Sequence, residues 1–153
     1  MKNQSTFELQ EFFPYKLVKT ADLISRGFSD VYTAEFGITR TEWRLIAAIG
    51  EHQPVLAKEL VEITYMDKVK VSRGLNKIED KQLIVKEVAD HDHRSIEIKL
   101  TSEGELLLNR LISCAVKWET ELLNTLSATE YKNLDMSLSR LLKRLESMQQ
   151  AKD

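Results

Sequence analysis

The sequence has little cysteine, proline or glycine: one cysteine, Cys114, two prolines and five glycines among 153 residues. A single cysteine excludes an intramolecular disulfide framework and is typical of a reducing compartment, so we expect a cytoplasmic protein. The glycines never cluster into a phosphate-binding loop, and no serine or cysteine lies in a nucleophile elbow. We therefore expect neither enzymatic activity nor a cofactor.

Long apolar runs are also missing. The first thirty residues carry charges throughout, and nowhere do eighteen apolar residues follow one another, so neither a signal peptide nor a membrane span is predicted. The net charge of −2 argues against a generally basic coat protein, so any nucleic-acid contact has to be local. With 42% hydrophobic residues, the chain can form one domain with a real core.

The most informative stretch is residues 67–81, DKVKVSRGLNKIEDK, which predicts a helix with two unlike faces. At 100° per residue, Val71, Leu75 and Ile78 share a narrow apolar face. On the opposite face, Arg, Asn and Lys can contact base edges in a major groove, and valine can touch a thymine methyl. A basic outer face is often merely solvated. The residues we predict to bind DNA are Lys68, Val69, Lys70, Ser72, Arg73, Asn76 and Lys77.

Two β-rich runs follow this helix and predict a hairpin. Ile96, Ile98 and Leu100 alternate with charged residues, as in a strand with one buried face. A helix followed by a hairpin is typical of a winged helix-turn-helix, in which the hairpin tip reaches the flanking backbone or minor groove. The tip residues that we expect to contact DNA are Asp92, His93 and Arg94, with Asp92 orienting Arg94.

The same tip permits a second interpretation as a metal site. In Asp90-His91-Asp92-His93, two imidazoles on one face of a strand can ligate a metal. The only other histidine is His52, and the sole cysteine lies far along the chain. Because a structural zinc site normally needs four protein ligands, the pattern favours a wing tip without metal.

We call the helix at residues 67–81 the reading helix, because it is the one expected to contact base edges. The sequence before it predicts three further helices. Pro14 suits the first turn of a helix that ends near Phe36, and Thr39 with Glu42 forms a capping box that opens a second helix. The residues expected on the buried side of the second helix are Trp43, Ile46, Ala47 and Gly50. After a short extended piece at Val55, residues 57–64 predict a compact supporting helix.

Two positions in and before the reading helix carry local structural signals. Asp67 is expected to cap its N-terminus through the side-chain carboxylate. Gly74 costs about 1 kcal/mol relative to alanine inside a helix, which indicates close approach of a neighbouring helix.

Two long amphipathic helices are predicted after the hairpin. Thr101 or Ser102 caps the first, and a capping box from Ser127 to Glu130 opens the second. Their apolar stripes are Leu107, Leu111, Cys114, Trp118 and Leu122, then Leu134, Leu138, Leu141, Leu145 and Met148. These stripes exceed what a winged helix needs, so the helices either fold back on their own chain or pair with a second copy. We predict a two-fold homodimer, because symmetric half-sites double the DNA contacts.

The predicted fold class is mainly α with a small β-hairpin wing (α+β). The N- and C-terminal regions, residues 1–36 and 102–153, form the dimerisation region, and residues 37–101 form the DNA-binding winged helix-turn-helix.

Four segments resemble a known family in order and spacing: Val71-Ser72-Arg73, Leu83-Ile84-Val85-Lys86, Asp92-His93-Arg94 and Leu100-Thr101-x-x-Gly104. The sequence resembles the MarR family of bacterial transcription regulators over essentially its whole length. The resemblance implies a homodimer that binds a palindromic operator in double-stranded DNA. It also implies release when a small molecule binds, often a phenolic or aromatic acid, or when a cysteine is oxidised.

Three stretches, FFPYKL, EWRLIAAIG and MDKVKVSR, are similar to a subgroup associated with aromatic-acid catabolism, which suggests an aromatic acid or its thioester as effector. The chain departs from the family pattern at two positions. Gln82 replaces a common glycine after the reading helix, so the helix stop requires either a strained residue or another turn. Lys86 replaces a common arginine and lacks its planar two-pronged group.

For effector binding we select Tyr15, Arg26, Phe36, Trp43, Arg44 and Tyr65. The aromatic residues are expected to line a cleft between the dimer helices and the DNA-binding lobe, with Arg26 or Arg44 binding a carboxylate. Phe36 and Trp43 fit equally well in the core. Two other functions stay open: a redox-sensing repressor switched through Cys114, whose apolar stripe favours a buried thiol, and a protein-interaction module.

Overall fold

The structure is a computed structural model that describes residues 7–90 and 92–151. The chain forms two compact units, Met1–Ala115 and Val116–Asp153. The predicted fold class is confirmed, because the structure is mainly helical with one small antiparallel sheet. Within the described ranges, every helix is too short or too polar to cross a membrane.

In the described part of the first unit, five helices begin after a short 3-10 turn at Leu9–Glu11. They are α1 (Phe13–Phe36), α2 (Arg40–His52), α3 (Ala57–Thr64), α4 (Lys68–Asp80) and α5 (Ser102–Leu123). Pro14 lies in the first turn of α1, as predicted, since its missing N–H has no helical partner there. Gly37 ends α1 in the left-handed conformation, with φ 64°.

Helix α2 begins at the predicted capping box. The Glu42 N–H donates to the Thr39 hydroxyl, and the Thr39 N–H donates to the Glu42 carboxylate. The buried side differs from the prediction, because Leu45, Ala48 and Ile49 are buried whereas Trp43, Ala47 and Gly50 are half-buried. Helix α2 packs against α3, α4 and β3, and these contacts bury more of the helix than the predicted side.

Helix α4 crosses α2 closely at Gly74, as its sequence indicates. A methyl group at this position would lie 2.5 Å from Leu45 Cδ1 and 2.9 Å from Thr41 Cγ2. The N-terminus of α4 is capped by Asp67, whose carboxylate accepts a 2.8 Å hydrogen bond from the Lys70 N–H. That hydrogen bond lowers the pKa of Asp67.

Helix α4 ends at a residue in the left-handed backbone conformation that is not a glycine. Gln82 has φ 59°, its N–H donates to the Glu79 carbonyl, and the Leu83 N–H donates to the Ile78 carbonyl. These two bonds define a Schellman motif. The Thr101 hydroxyl donates to the Gln82 carbonyl at 2.7 Å, which joins this turn to the start of α5.

Three strands form one antiparallel sheet in the order β1-β3-β2, with β1 at Val55–Leu56, β2 at Ile84–Ala89 and β3 at Asp92–Leu100. Val55 lies opposite Ile98, so the short strand closes the hairpin against the core. Ile98 and Leu100 are buried as predicted, but Ile96 is 55% exposed. The prediction for Ile96 was wrong because the outer part of the hairpin, which we call the hairpin arm, projects beyond the core.

The second unit contains the end of α5 and the whole of α6 (Ala128–Gln150). Ser127 and Glu130 form the predicted capping box, and the hydrogen bonds from Ser127 lower the pKa of Glu130. No residue of α6 is buried. The stripe from Leu134 to Met148 is therefore an exposed apolar face.

Candidate nucleic-acid interface

The two faces of α4 are those that its sequence predicts. Val71, Leu75 and Ile78 are buried, and Gly74 joins them at the crossing with α2. All seven α4 residues predicted to bind DNA are exposed: Lys68, Val69, Lys70, Ser72, Arg73, Asn76 and Lys77. This exposed face combines four cations, an amide and an accessible apolar group, which are the side chains that read base edges and hold phosphates.

Helix α4 is held at both ends. Besides the Asp67 cap, Lys81 follows its last turn, and the Lys81 ammonium donates to Glu42 Oε2 at 2.9 Å and to the Gly37 carbonyl at 3.1 Å. Glu42 is the one fully buried charged side chain among the described residues. Sequence reasoning assigned Glu42 only to a capping box and missed this second role.

The wing tip contains two predicted DNA-binding residues with described side chains. Arg94 is exposed, and the Asp92 carboxylate accepts hydrogen bonds from the Arg94 N–H at 3.0 Å and from the Ser95 hydroxyl at 2.6 Å. Asp92 therefore fixes the backbone from which Arg94 projects. Farther along the arm, Lys99 donates to Glu87 at 2.9 Å, and this hydrogen bond raises the pKa of Lys99.

The two histidine side chains of the possible metal site lie outside the described part of the structure. His91 is not described, and of His93 only the backbone is. Among the described residues, no group of three histidine, cysteine, aspartate or glutamate side chains is placed to hold a metal ion.

An apolar cavity of about 490 Å³ lies between α3, α4 and the hairpin. Its apolar wall is formed by Ala57, Val61, Val71, Leu75, Ile96 and Ile98. Lys68, Ser72 and Asn76 line the same cavity, so it shares three residues with the predicted DNA-binding face. Lys86 also lines the cavity and forms an ion pair with Glu79. Neither the cavity nor this pair is visible in the sequence pattern.

Two aromatic residues predicted for effector binding pack against the core. Trp43 makes an edge-on contact with Phe28, with ring centroids 5.4 Å apart, and lies 6.0 Å from Tyr32. Phe36 is half-buried, and the Arg110 guanidinium carbon lies 4.8 Å from its ring centroid. These contacts support the alternative that Phe36 and Trp43 belong to the core.

The other four residues predicted for effector binding are more accessible. Tyr15 is half-buried, and Arg26 is exposed and forms an ion pair with Asp22 at 2.5 Å. Tyr65 is 83% exposed in a left-handed conformation at the end of α3. Arg44 is exposed and lines a second, polar pocket. Effector binding by these residues stays a prediction.

Cys114 on α5 is half-buried, whereas its apolar stripe predicted a buried thiol. Its Sγ lies 3.5 Å from Glu35 Oε2, at hydrogen-bonding distance for sulfur. Reactive cysteines instead lie in electropositive surroundings that stabilise the thiolate. This contact gives no support to the redox-sensing alternative.

A supporting helix, a reading helix with a polar outer face and an antiparallel hairpin together define a winged helix-turn-helix. A sequence model of the MarR family matches residues 36–95, which include this motif up to the wing tip. The transcriptional regulator SarZ of Staphylococcus epidermidis is 29% identical over 88 residues, which are 58% of this chain and 59% of SarZ. The chain thus spans about three fifths of the length of that relative.

Solved structures extend the likeness to most of the chain. A MarR/EmrR-family transcriptional regulator from Acinetobacter sp. ADP1 has a TM-score of 0.84 at 26% identity, covering 92% of this chain and 99% of that protein. The DNA complex of Staphylococcus aureus MepR has a TM-score of 0.77 at 22% identity, covering 86% and 97%. In sequence over residues 36–95, and in fold over most of the chain, the protein is thus similar to MarR-family regulators.

Proposed function

We propose that this chain is a DNA-binding transcription regulator that acts as a homodimeric repressor on a palindromic operator. The observation that carries the proposal is the exposed face of α4, whose opposite face is buried and whose two ends are fixed by Asp67 and by the Lys81–Glu42 pair. A rigidly held helix can enter a major groove with its side chains already placed. MepR, which shares the fold, has been solved bound to DNA.

Exposed apolar stripes support the homodimer. In α6, Leu138, Leu141 and Leu145 are between 38% and 56% exposed, although leucine at this spacing is typical of a helix that packs. At the start of α1, Phe12 and Phe13 are about half exposed. A second copy would cover such faces and would place two reading helices on symmetric half-sites, roughly 34–36 Å apart.

Footprinting on the DNA upstream of the chain's own gene tests the central proposal, together with sedimentation at micromolar concentration. We expect a dimer and a protected palindrome. A monomer that protects no such segment would exclude this function and favour the protein-interaction module.

The polar face of α4 allows a finer experiment on the same DNA. If Arg73 reads a base while Lys77 holds a phosphate, Arg73→Ala weakens preference at one base pair by about 1–3 kcal/mol. Lys77→Ala should weaken binding to all DNA sequences alike and reduce the slope of log affinity against log salt concentration by about 1. Lys19→Ala, which removes an exposed cation from α1, is the matched control. Equal losses on operator and random DNA for Arg73→Ala would refute base reading by Arg73.

At the wing, Arg94 is proposed to insert into a narrow minor groove, where the negative potential is enhanced. Arg94→Ala should then reduce affinity most for operators with A·T-rich flanks. Asp92→Ala, which removes the acceptor that fixes the Arg94 backbone, should have a smaller effect in the same direction. Identical affinity of Arg94→Ala and the unmodified protein on such operators would exclude this contact.

Release by a small aromatic or phenolic effector is the finer part of the proposal. The apolar cavity between α3, α4 and the hairpin favours it, because a molecule bound there would contact Ser72 and Asn76 on the DNA-binding face. The more accessible residues selected from the sequence, such as Tyr15 and Arg26, are the other candidate location. A coupling free energy of about 1–3 kcal/mol would weaken operator affinity about 5–150-fold, and DNA would weaken effector binding by the same factor.

A thermal-shift screen of aromatic acids, phenols and their thioesters, followed by operator titration with each hit, tests release. Val61→Phe fills the cavity and should abolish coupling if the effector binds there, whereas Tyr15→Ala should abolish it if the cleft is used. Hits that bind without changing operator affinity would exclude an effector-released repressor.

A further inference from the structure

A second pocket, of about 340 Å³, lies where the first turns of α2 and α4 meet. Its lining is Arg40, Thr41, Arg44, Met66 and Lys70. Three of the five side chains are therefore cations. Arg40 and Thr41 are the first two residues of α2, and Lys70 is the third of α4, so two helix N-termini add their partial positive charges.

The three cations are weakly engaged in the structure. Arg40 lies 3.6 Å from Asp22 and Lys70 lies 3.7 Å from Asp67, near the outer limit for ion pairs. Within residues 7–90 and 92–151, Arg44 makes neither a hydrogen bond nor an ion pair. Exposed pairs of this kind contribute little, so the Arg40 and Lys70 side chains can bind a phosphate at low cost while Asp67 still caps α4.

Two of the cations, Arg40 and Arg44, act in the same direction on the pKa of a nearby buried tyrosine, Tyr32. Burial raises the pKa of Tyr32, and the charges of Arg40 and Arg44 oppose that rise. Both arginines therefore contribute positive potential to the same region. The closely packed crossing of α4 over α2 at Gly74 fixes the distance between Lys70 and the two arginines, so the pocket moves with the reading helix.

We infer that this pocket binds an oxyanion and that its occupant is a phosphate of the operator backbone, held by Arg40, Arg44 and Lys70 beside the groove that α4 enters. The inference rests on the proposed DNA-binding function and extends it, because it adds two residues of α2 to the interface. It also moves Arg44 from the predicted effector cleft to the DNA contact. Lys70 belongs to both the reading face and the pocket, so a phosphate bound there fixes the register of α4 along the duplex.

The test compares the unmodified protein with Arg40→Ala/Arg44→Ala, Arg44→Lys and the control Lys19→Ala. Each is titrated with operator and with random duplex over a series of salt concentrations. For the double variant we expect equal losses on both DNAs and a slope of log affinity against log salt lower by about 1, since one phosphate contact contributes about 0.9. Arg44→Lys should retain the slope because the contact needs charge, and Lys19→Ala should be unchanged.

Operators carrying single neutral methylphosphonate groups identify the phosphate. One position should weaken the unmodified protein but leave the double variant unaffected, because that variant no longer uses the contact. An unchanged slope in the double variant would overturn the inference. A second outcome would also overturn it. If inorganic phosphate or benzoate raises the melting temperature only when Arg44 is present, and the salt slope of DNA binding is unchanged in the double variant, the pocket binds a free anion instead. Failure of the proposed function can be told apart from failure of this inference, because the unmodified protein would then show no preference for the operator over random DNA.

Discussion

Lys81 and Glu42, which are 39 residues apart in sequence, form an ion pair with Nζ and Oε2 separated by 2.9 Å. Glu42 is 2% exposed and also accepts from the Thr39 N–H, so one carboxylate caps α2 and anchors the end of α4. A single buried acid thus links the start of α2 to the end of the reading helix.

Lys81→Met should lower the free energy of unfolding by about 1–3 kcal/mol, because the buried carboxylate loses its charged donor. The matched control is Lys16→Met, which removes an exposed pair with Glu11 and should cost less than about 1 kcal/mol. Urea denaturation of both variants measures the difference. Equal effects would show that the buried pair contributes no more than a surface pair.

Gly74→Ala should lower stability by about 1–3 kcal/mol, since the added methyl overlaps Leu45 and Thr41 at the crossing of α4 and α2. Without the overlap, alanine would stabilise the helix by about 1 kcal/mol relative to glycine. The sign of the change in unfolding free energy therefore shows whether packing or helix propensity dominates. A double-mutant cycle with Leu45→Ala should show that the cost of Gly74→Ala falls when Leu45 is truncated. A stabilising Gly74→Ala would contradict the close crossing.

Gln82→Gly should raise stability by about 1 kcal/mol, because the left-handed conformation of residue 82 is strained for any residue with a Cβ. The hydrogen bonds of the turn come from the backbone and are unaffected by the substitution. Gln82→Ala keeps the strain and serves as the control. If both variants have the same denaturation midpoint, the turn is not strained.

Asp67 gives the fold a defined acid dependence. The hydrogen bond from the Lys70 N–H lowers the pKa of Asp67 in the folded chain below its ordinary value of 3.8. The cap therefore stabilises the fold above that ordinary value, and its contribution is lost as the pH falls through the lowered pKa. Asp67→Asn keeps an acceptor without the charge. The difference in unfolding free energy between the two proteins should be constant near neutral pH and shrink below about pH 4.

The local signals in the sequence predicted the helix boundaries well. The capping boxes at Thr39 and Ser127 and the carboxylate of Asp67 act on backbone groups two or three residues away, so no knowledge of the fold is needed to place them. The same holds for the two faces of α4, where Val71 and Arg73 differ in chemistry as well as in position.

Other features could not be predicted because they depend on distant partners. The burial of Leu45 follows from α2 being covered on several sides, and the exposure of Ile96 follows from the length of the hairpin arm. The Lys81–Glu42 pair and the grouping of Arg40 with Lys70 exist only once α2 and α4 cross. Periodicity along a single element contains no information about such crossings.

The exposed arm of the hairpin also affects motion. Val88 and Ile96 pair across the arm and are both more than half exposed, whereas Ile84 and Leu100 pair at its buried base. Opening the arm therefore exposes little additional apolar surface, and its free energy should lie well below that of global unfolding. In hydrogen exchange, the arm amides should exchange by local opening, while those at the base exchange only when the whole unit unfolds.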